Sequence, residues 1–210
     1  RVIAVDVDQK ICALLRERLA QHSNVTVVCG DILEFPWGAY EGSVVVGAIP
    51  YQITSPILVE LCAHRLAIRE AWLILQEEVA DRLMARPGQK AYGRLRILGQ
   101  YSWEISSVMA VGRSAFFPQP EVDSTCLHLR PTPRPPVAVA EESLLFEVVK
   151  AAFAHRRKTL VNCLSAHESH LASRPQAEAL LRQTGLPTGV RGEQLSLEQF
   201  AALANALTGR

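Results

Sequence analysis

Arg1-Val2-Ile3-Ala4-Val5-Asp6 opens the chain, and this stretch sets the architecture that the rest of the sequence continues. Its apolar, β-branched residues predict a buried strand that ends at an acid. A run of apolar residues at helical spacing comes next: Ile11, Leu14, Leu15 and Leu19. A second apolar run over residues 25–29 ends at Gly30-Asp31. The opening segment therefore predicts strand, helix and strand in succession, the unit from which parallel α/β sheets are built.

The same alternation continues along the chain. Further strands are predicted over residues 43–47, 71–75, 105–111 and 125–129, and helices over residues 77–85 and 92–101. Ser55 is placed to cap another helix, with Pro56 at its first position. Strands that alternate with helices predict a mostly parallel, doubly wound α/β sheet of the Rossmann-like kind. The last two strands flank a proline-rich loop, and we expect them to form an antiparallel pair.

A cluster of four prolines then breaks the periodicity: Pro131, Pro133, Pro135 and Pro136. Residues 132–140 are therefore predicted to be a linker. Only helical patterns follow, over residues 143–154, 159–164, 176–183 and 197–207. We expect an α/β domain over residues 1–131 and a small all-helical domain over residues 141–210.

Composition indicates an ordinary globular protein with localised positive charge. The 210 residues are 49% hydrophobic and 20% charged, which is enough to bury a core. The net charge of +1 does not by itself indicate a nucleic-acid binder. Arg156-Arg157-Lys158 forms one basic cluster, and another lies in a stretch without acids: Arg82, Arg86, Lys90, Arg94 and Arg96. Such clusters are usually solvated faces, but phosphate contacts also require them.

The sequence predicts neither a metal site nor a membrane segment. The five cysteines are scattered without paired spacing, which indicates free thiols in a reducing compartment. His167 and His170 lie three residues apart but lack further ligand-type spacing, so no zinc site is expected. No apolar run reaches the roughly twenty residues of a membrane span, and no signal-peptide pattern opens the chain. We therefore expect a cytoplasmic protein.

Acids at the strand ends indicate a nucleoside ligand. In open α/β sheets, ligands bind beyond the carboxyl ends of the strands, where an acid characteristically binds a ribose hydroxyl. Asp6 fits this role, whereas Asp8 is better placed to cap the following helix. Asp31 is placed to accept a hydrogen bond from an adenine amine. An adenosine-containing ligand would use both Asp6 and Asp31.

The chain lacks the glycine-rich turn that normally lies about 20 residues before such an acid, and it begins with Arg1. A doubly wound sheet places the preceding strand between those predicted over residues 2–5 and 43–47. Without it, a gap of two strand spacings, roughly 10 Å, would open there. We interpret the sequence as part of a longer protein; the alternative is that the remaining strands pair differently.

Two proline-bearing segments carry aromatic rings: Gly47-Ala48-Ile49-Pro50-Tyr51 and Phe116-Phe117-Pro118-Gln119-Pro120-Glu121-Val122-Asp123-Ser124. Proline fixes φ and removes a donor, so segments of this composition hold rings at set angles over a cavity. A rim of this kind suits a flat, π-bearing substrate such as a nucleobase. The alternative is that Phe116 and Phe117 simply cap a core.

Taken together, these segments resemble the ribosomal small-subunit RNA adenine dimethyltransferases, which use S-adenosylmethionine. The resemblance covers nearly the whole chain, and the proline-rich loop combined with the Arg-Arg-Lys segment is highly specific. The helical tail separates this family from the related erythromycin-resistance methyltransferases. The matching segments are Val5-Asp6, Gly30-Asp31, Pro50-Tyr51, Arg86-Pro87-Gly88, Tyr92-Gly93-Arg94-Leu95, and residues 116–124, 152–160 and 195–207.

The resemblance implies a Rossmann-like methyltransferase sheet and a cofactor site. Asp6 would bind the ribose of S-adenosylmethionine; the family more often has Glu there, and the shorter Asp keeps the charge. Asp31 would hold the cofactor's adenine amine. Ile32 and Ala48 would complete the cofactor site.

The resemblance also implies how RNA is bound. Tyr51 and Phe116 would stack the flipped target adenine, and the backbone at Ile49 and Pro50 would accept hydrogen bonds from its N6 amine. The basic residues expected to face RNA phosphate are Arg94, Arg156, Arg157 and Lys158. The implied partner is small-subunit ribosomal RNA or a pre-30S ribosomal particle, bound by a monomer.

Ala48 departs from the family, which has Asn before Pro-Tyr. The N6 lone pair of adenine is delocalised into the ring, so acceptors for the amine hydrogens assist transfer as the nitrogen becomes tetrahedral. Losing one preorganised contact of this kind typically costs on the order of 100- to 1,000-fold in rate. Gln52 offers an alternative amide.

Two functions from different classes therefore remain open. The first is an enzyme that dimethylates adjacent adenines at N6 in small-subunit ribosomal RNA. The second is a weakly active or non-catalytic ribosome-assembly factor that keeps the RNA-binding surface. Adenine methylation of large-subunit RNA is a third possibility, which the helical tail disfavours.

Overall fold

Six strands form two hydrogen-bonded groups in the computed structural model, which describes residues 1–168 and 171–208. The strands are β1 (Val2–Asp6), β2 (Val25–Cys29), β3 (Ser43–Ala48), β4 (Ile68–Gln76), β5 (Trp103–Val111) and β6 (Ser124–Pro131). β1 pairs with β2 in parallel, and β3 with β4 in parallel. β6 lies antiparallel between β4 and β5, which gives the order β3-β4-β6-β5. The predicted α/β fold with a final antiparallel pair is confirmed.

The sheet is interrupted between β1 and β3. Among the described residues, no backbone ladder joins the β1-β2 pair to the four-stranded group. This is the position at which the sequence analysis expects a gap.

Eight α-helices accompany these strands in the described part of the chain: α1 (Gln9–Arg18), α2 (Thr54–Ala63), α3 (Glu77–Met84), α4 (Arg94–Ser102), α5 (Glu142–Ala154), α6 (Leu160–Ala166), α7 (Arg174–Gln183) and α8 (Leu197–Thr208). The first four connect strands, and the last four follow β6 without any further strand in the residues described. None of the described helices has the length and apolar character needed to cross a bilayer.

The capping predictions have different outcomes. Asp8 caps α1 as expected, because its carboxylate accepts from Lys10 N at 2.7 Å and from Ile11 N at 3.4 Å. Ser55, by contrast, does not cap α2, and Pro56 is not its first residue. Residues Tyr51–Ile53 form a 3-10 turn that runs directly into the helix, so α2 begins at Thr54 and both residues lie inside its first turn.

Burial divides the apolar side chains into two clusters. One lies between the four-stranded sheet and helices α2 and α3, where Leu73 and Leu75 of β4 pack on Leu61 and Leu83. The other joins helices α5 to α8 and also includes Tyr92, Ile97 and Tyr101 from the α4 region. The α4 region therefore packs directly against the C-terminal helices.

Two polar contacts strengthen this packing. The buried Arg65 pairs with Glu142 of α5 through two hydrogen bonds, of 2.5 and 2.8 Å, and Tyr101 donates to the same carboxylate at 3.2 Å. On another side, the buried Tyr92 hydroxyl donates to the Leu195 carbonyl at 2.7 Å. The segments before β4 and before α4 are therefore each bonded to the C-terminal part of the chain.

Substituting Glu142 tests the first of these ties. Glu142→Ala leaves the Arg65 guanidinium buried without its partner, so we expect unfolding free energy to fall by about 3 kcal/mol, the low end for such a loss. The low end applies because 34% of the Glu142 side chain is exposed. Urea denaturation gives the measurement. The control is Glu178→Ala, whose arginine partners are exposed; we expect a change below about 1 kcal/mol. Equal losses in both variants would contradict the assigned role of Arg65.

Candidate active site

The carboxyl ends of the parallel strands form one rim of the molecule. Asp6 ends β1 beside Cys29 of β2, and Asp31 follows one residue beyond Gly30. Ala48 ends β3 beside Ile74 of β4. Helix α2 contacts both the 3-10 turn after Asp31 and the 3-10 turn after Ala48, which brings the two strand groups together at this rim. Ligands of open α/β sheets bind at such an edge.

Asp6 is half-buried and held in place by its neighbours. Its Oδ1 accepts from Asp8 N at 2.8 Å, and its carbonyl oxygen accepts from Gly30 N at 2.9 Å. The buried Cys12 thiol donates to the same carbonyl at 3.3 Å. Both the backbone and one carboxylate oxygen are therefore fixed, and Oδ2 has no hydrogen-bond partner among the residues that the structure describes.

Cys12 contributes as a neutral thiol. The neighbouring Cys29 thiol and burial together raise the pKa of Cys12 to about 11, so the group stays protonated at neutral pH. The five cysteines are free thiols; Cys12, Cys62 and Cys163 are buried, whereas Cys29 is exposed. Burial likewise raises the pKa of Cys62 to about 11.

Asp31 begins the turn that follows β2. Its Oδ1 accepts from Leu33 N at 2.9 Å, which caps the 3-10 turn Ile32–Glu34. Ile32 and Leu33 pack their side chains against the core under the sheet. The carboxylate of Asp31 is exposed at the rim, so a ligand can reach it.

The turn after β3 presents an aromatic ring on constrained backbone. Ile49 N donates to the Ile74 carbonyl at 3.1 Å, which extends the ladder one residue beyond β3. The Pro50 carbonyl accepts from Ile53 N at 3.1 Å and from the Thr54 hydroxyl at 3.0 Å. Tyr51 is 43% exposed next to them. The Pro50 carbonyl is therefore already used twice inside the turn.

The proline-rich loop between β5 and β6 lies at the same end of the sheet. Ser124 opens β6 opposite Gln76, the last residue of β4. Asp123 fastens the loop at both sides: its Oδ1 accepts from Arg113 N at 2.9 Å, and its carbonyl accepts from Glu77 N at 3.1 Å. No role for Asp123 follows from the sequence, although the residue lies in the quoted loop, because these bonds depend on β4 and β5 being neighbours of β6.

The two phenylalanines of this loop differ in burial. Phe116 is half-buried, whereas Phe117 is 101% exposed, as much as in an extended peptide. The alternative that both rings cap a core is therefore wrong for Phe117.

The basic residues differ in whether their side chains are bonded to other residues. Arg94 opens α4 on the wall of a cavity of about 890 Å³ between α2, α3 and the C-terminal helices. Arg156 reaches into the same cavity, but its Nε pairs with Glu193 at 2.7 Å and its Nη2 donates to the Lys90 carbonyl. Arg157 and Lys158 are exposed, and their side chains have no partner among the described residues.

Metal ligands are not assembled in the described residues, where no three His, Cys, Asp or Glu side chains gather. His167 is buried and lies near Glu147, with Nε2 at 3.9 Å from the carboxylate. His170, which the sequence analysis considered with it, lies outside the described residues.

Known protein sequences match this chain over nearly its whole length. The sequence pattern of the ribosomal RNA adenine dimethylase family matches residues 1–208. Ribosomal RNA small subunit methyltransferase A of Bacillus mycoides (strain KBAB4) is 43% identical over 216 residues, 99% of this chain and 74% of the relative. The protein of the same name from Bacillus cereus (strain AH187) has the same identity and coverage.

Solved structures agree in fold. A dimethyladenosine transferase from Plasmodium falciparum superposes with a TM-score of 0.73 at 25% identity, over 97% of this chain and 80% of that one. The 23S rRNA methyltransferase ErmE superposes with a TM-score of 0.62 at 29% identity, over 99% of this chain and 82% of that one. Because this superposition includes the helical tail, the expectation that the tail separates the two families is wrong.

Proposed function

The chain belongs to the ribosomal RNA adenine dimethylase family, and on that premise we propose that it dimethylates adjacent adenines at N6 in small-subunit ribosomal RNA during ribosome biogenesis. It is a methyltransferase whose methyl donor is S-adenosylmethionine. The observation that carries the proposal is the shared rim, where the acids Asp6 and Asp31 stand at the strand ends and Tyr51 and Phe116 frame the neighbouring turns.

Two carboxylates at adjacent strand ends suit the nucleoside part of the donor. Asp6 keeps Oδ2 for the ribose hydroxyls, while Oδ1 is tied to Asp8 N. Asp31, exposed beyond β2, accepts from the adenine amine, and Ile32 offers an apolar contact beside it. Ala48 closes the site at the end of β3. When bound, the donor supplies an electrophilic methyl group.

Target adenine is held by stacking and by one backbone acceptor. Tyr51 and Phe116 enclose the base between rings, which suits a nucleotide flipped out of its helix. Because the Pro50 carbonyl is already bonded to Ile53 N and Thr54 Oγ1, we assign the acceptor role to the Ile49 carbonyl. The Ile49 carbonyl accepts a hydrogen bond from the N6 amine as the nitrogen becomes tetrahedral, and water takes the one proton that the amine releases. No side-chain base is required.

RNA is held by the residues that the fold leaves free. Arg157 and Lys158 face solvent without partners in the described chain, and Arg94 lines the cavity, so these three neutralise phosphate. Arg156 has a different role: through Glu193 and the Lys90 carbonyl it positions the loop before α4 against the C-terminal helices.

The protein has two domains joined by a linker. Residues 1–131 form the methyltransferase domain, residues 132–140 a linker and residues 141–210 a helical RNA-binding domain. The protein acts as a monomer, because Arg157 and Lys158 need open access to a pre-30S particle. It acts in the cytoplasm.

Neutralising Asp6 tests the cofactor site. Asp6→Asn keeps an acceptor for Asp8 N but loses the charge, and a hydrogen bond to a charged group contributes about 1.5–3 kcal/mol. We therefore expect affinity for S-adenosylhomocysteine to fall by at least about tenfold in calorimetry.

Asp8→Ala is the control for that experiment. It removes the cap of α1, which costs about 1 kcal/mol of stability, without touching the donor. A smaller loss of affinity in Asp6→Asn than in Asp8→Ala would contradict the assignment.

Restoring a side-chain acceptor tests the chemistry. Undermethylated small ribosomal subunits are incubated with labelled S-adenosylmethionine and either the natural protein or Ala48→Asn. We expect the natural protein to transfer methyl groups, and Ala48→Asn to transfer them on the order of 100-fold faster in single turnover, because one preorganised acceptor is added. Transfer by Ala48→Asn alone, with equal subunit binding, would instead favour the assembly-factor alternative.

Salt dependence tests the basic residues. Removing a phosphate contact lowers the slope of log affinity against log salt by about 0.7–0.9. We expect Arg157→Gln and Lys158→Gln each to show this loss in filter binding to small subunits, with thermal stability unchanged. Arg156→Gln is the matched comparison, and we expect it to lower the melting temperature and leave the slope nearly constant. A slope loss confined to Arg156→Gln would overturn the division of roles.

A further inference from the structure

Phe117 is the most exposed large apolar side chain in the described part of the protein, at 101% of its reference area. Neither the core nor the target-base site described above uses it. A ring of this size held wholly in water is unfavourable for a folded chain. Its position next to Phe116 makes it a candidate for contact with the RNA.

The two rings of this loop differ in exposure. Phe116 is half-buried at the rim, whereas Phe117, one residue further along the loop, is wholly exposed. The backbone bends through both residues. Phe117 is therefore accessible to a nucleotide outside the pocket that Phe116 helps to form.

The backbone of the loop that carries this ring is fastened at several points. Asp123 fastens it to Arg113 N and to Glu77 N, and Arg113 Nη1 donates to the Glu121 carbonyl at 3.3 Å. Pro118 directly follows Phe117, and proline allows its backbone little freedom. The loop backbone therefore loses little conformational entropy when the ring stacks on a base.

We propose that Phe117 stacks on the unpaired nucleotide that flanks the target adenine, so that two consecutive phenylalanines hold two consecutive bases. Bases next to a flipped nucleotide have lost a stacking neighbour, and an aromatic ring replaces it without reading sequence. Phe117 is thus a positioning residue for the RNA strand. The inference rests on the proposed function, because it takes RNA with accessible adenines as the substrate.

Substitutions at Phe117 separate stacking from apolar contact. Phe117→Ala removes the ring, Phe117→Leu keeps apolar bulk without a π face, and Phe117→Trp keeps the face. Leu66→Ala is the matched control, because Leu66 is 74% exposed but precedes β4, at the opposite end of the sheet. Each variant is compared with the natural protein in equilibrium binding to undermethylated small ribosomal subunits and in methyl-transfer kinetics.

We expect Phe117→Ala and Phe117→Leu to weaken subunit binding and raise KM about tenfold, within the usual range for losing one aromatic–base stack. Single-turnover transfer at saturating subunits should change less than threefold. Phe117→Trp should retain natural binding, and Leu66→Ala should have no effect. Thermal unfolding and S-adenosylhomocysteine affinity should be the same in all four variants.

Three outcomes would overturn the proposal: unchanged binding in Phe117→Ala, full rescue by Phe117→Leu, or an equal loss in Leu66→Ala. Failure of the proposed function is distinguishable from these. If the natural protein binds subunits but transfers no methyl group, the function fails, and the binding series still decides the role of Phe117. If the natural protein does not bind subunits, both fail.

Discussion

The antiparallel pairing of β6 with β4 is the constraint on which the site depends. Because β6 returns beside β4 with Ser124 opposite Gln76, the loop before β6 has to lie at the carboxyl end of β4. β3 runs parallel to β4, so the Ile49-Pro50-Tyr51 turn ends at that same edge. A parallel β6 would carry the loop to the other end of the sheet. A slip of one residue would turn the side chains of β6 to the wrong face.

The backbone of the two segments at this edge is fixed by hydrogen bonds, so each polar group there has one role. In the turn after β3, Thr54 and Ile53 both bond to the Pro50 carbonyl, which leaves Ile49 as the acceptor assigned to the target amine. In the loop before β6, Asp123 bonds to Arg113 and Glu77. The loop backbone that carries the two phenylalanines is therefore already ordered before RNA binds. Electrostatic assistance from groups already in place costs no reorganisation during the reaction. In such a site a backbone carbonyl can serve as the acceptor for the target amine, because the side chain of Ala48 has no acceptor atom.

Sequence patterns predicted the strands and one helix cap, and the features that they did not predict have physical causes. Apolar periodicity located the six strands of the described residues, and the cap at Asp8 follows from local chemistry between neighbouring residues. Ser55 was misassigned because a 3-10 turn before it joined the helix, and no local pattern distinguishes such a turn. The pairing of Arg156 with Glu193 joins residues 37 positions apart, so spacing cannot reveal it. The exposure of Phe117 depends on tertiary packing, and the sequence does not distinguish it from the half-buried Phe116 beside it.

The most direct test of the shared rim is a crystal structure of the protein with S-adenosylhomocysteine and an RNA that carries the target adenines. The account predicts one adenine between Tyr51 and Phe116, with N6 within about 3.2 Å of the Ile49 carbonyl oxygen. It also predicts the cofactor ribose on Asp6 and the cofactor adenine on Asp31. An adenine bound away from these rings, or an N6 amine bonded to Pro50 in place of Ile49, would contradict it.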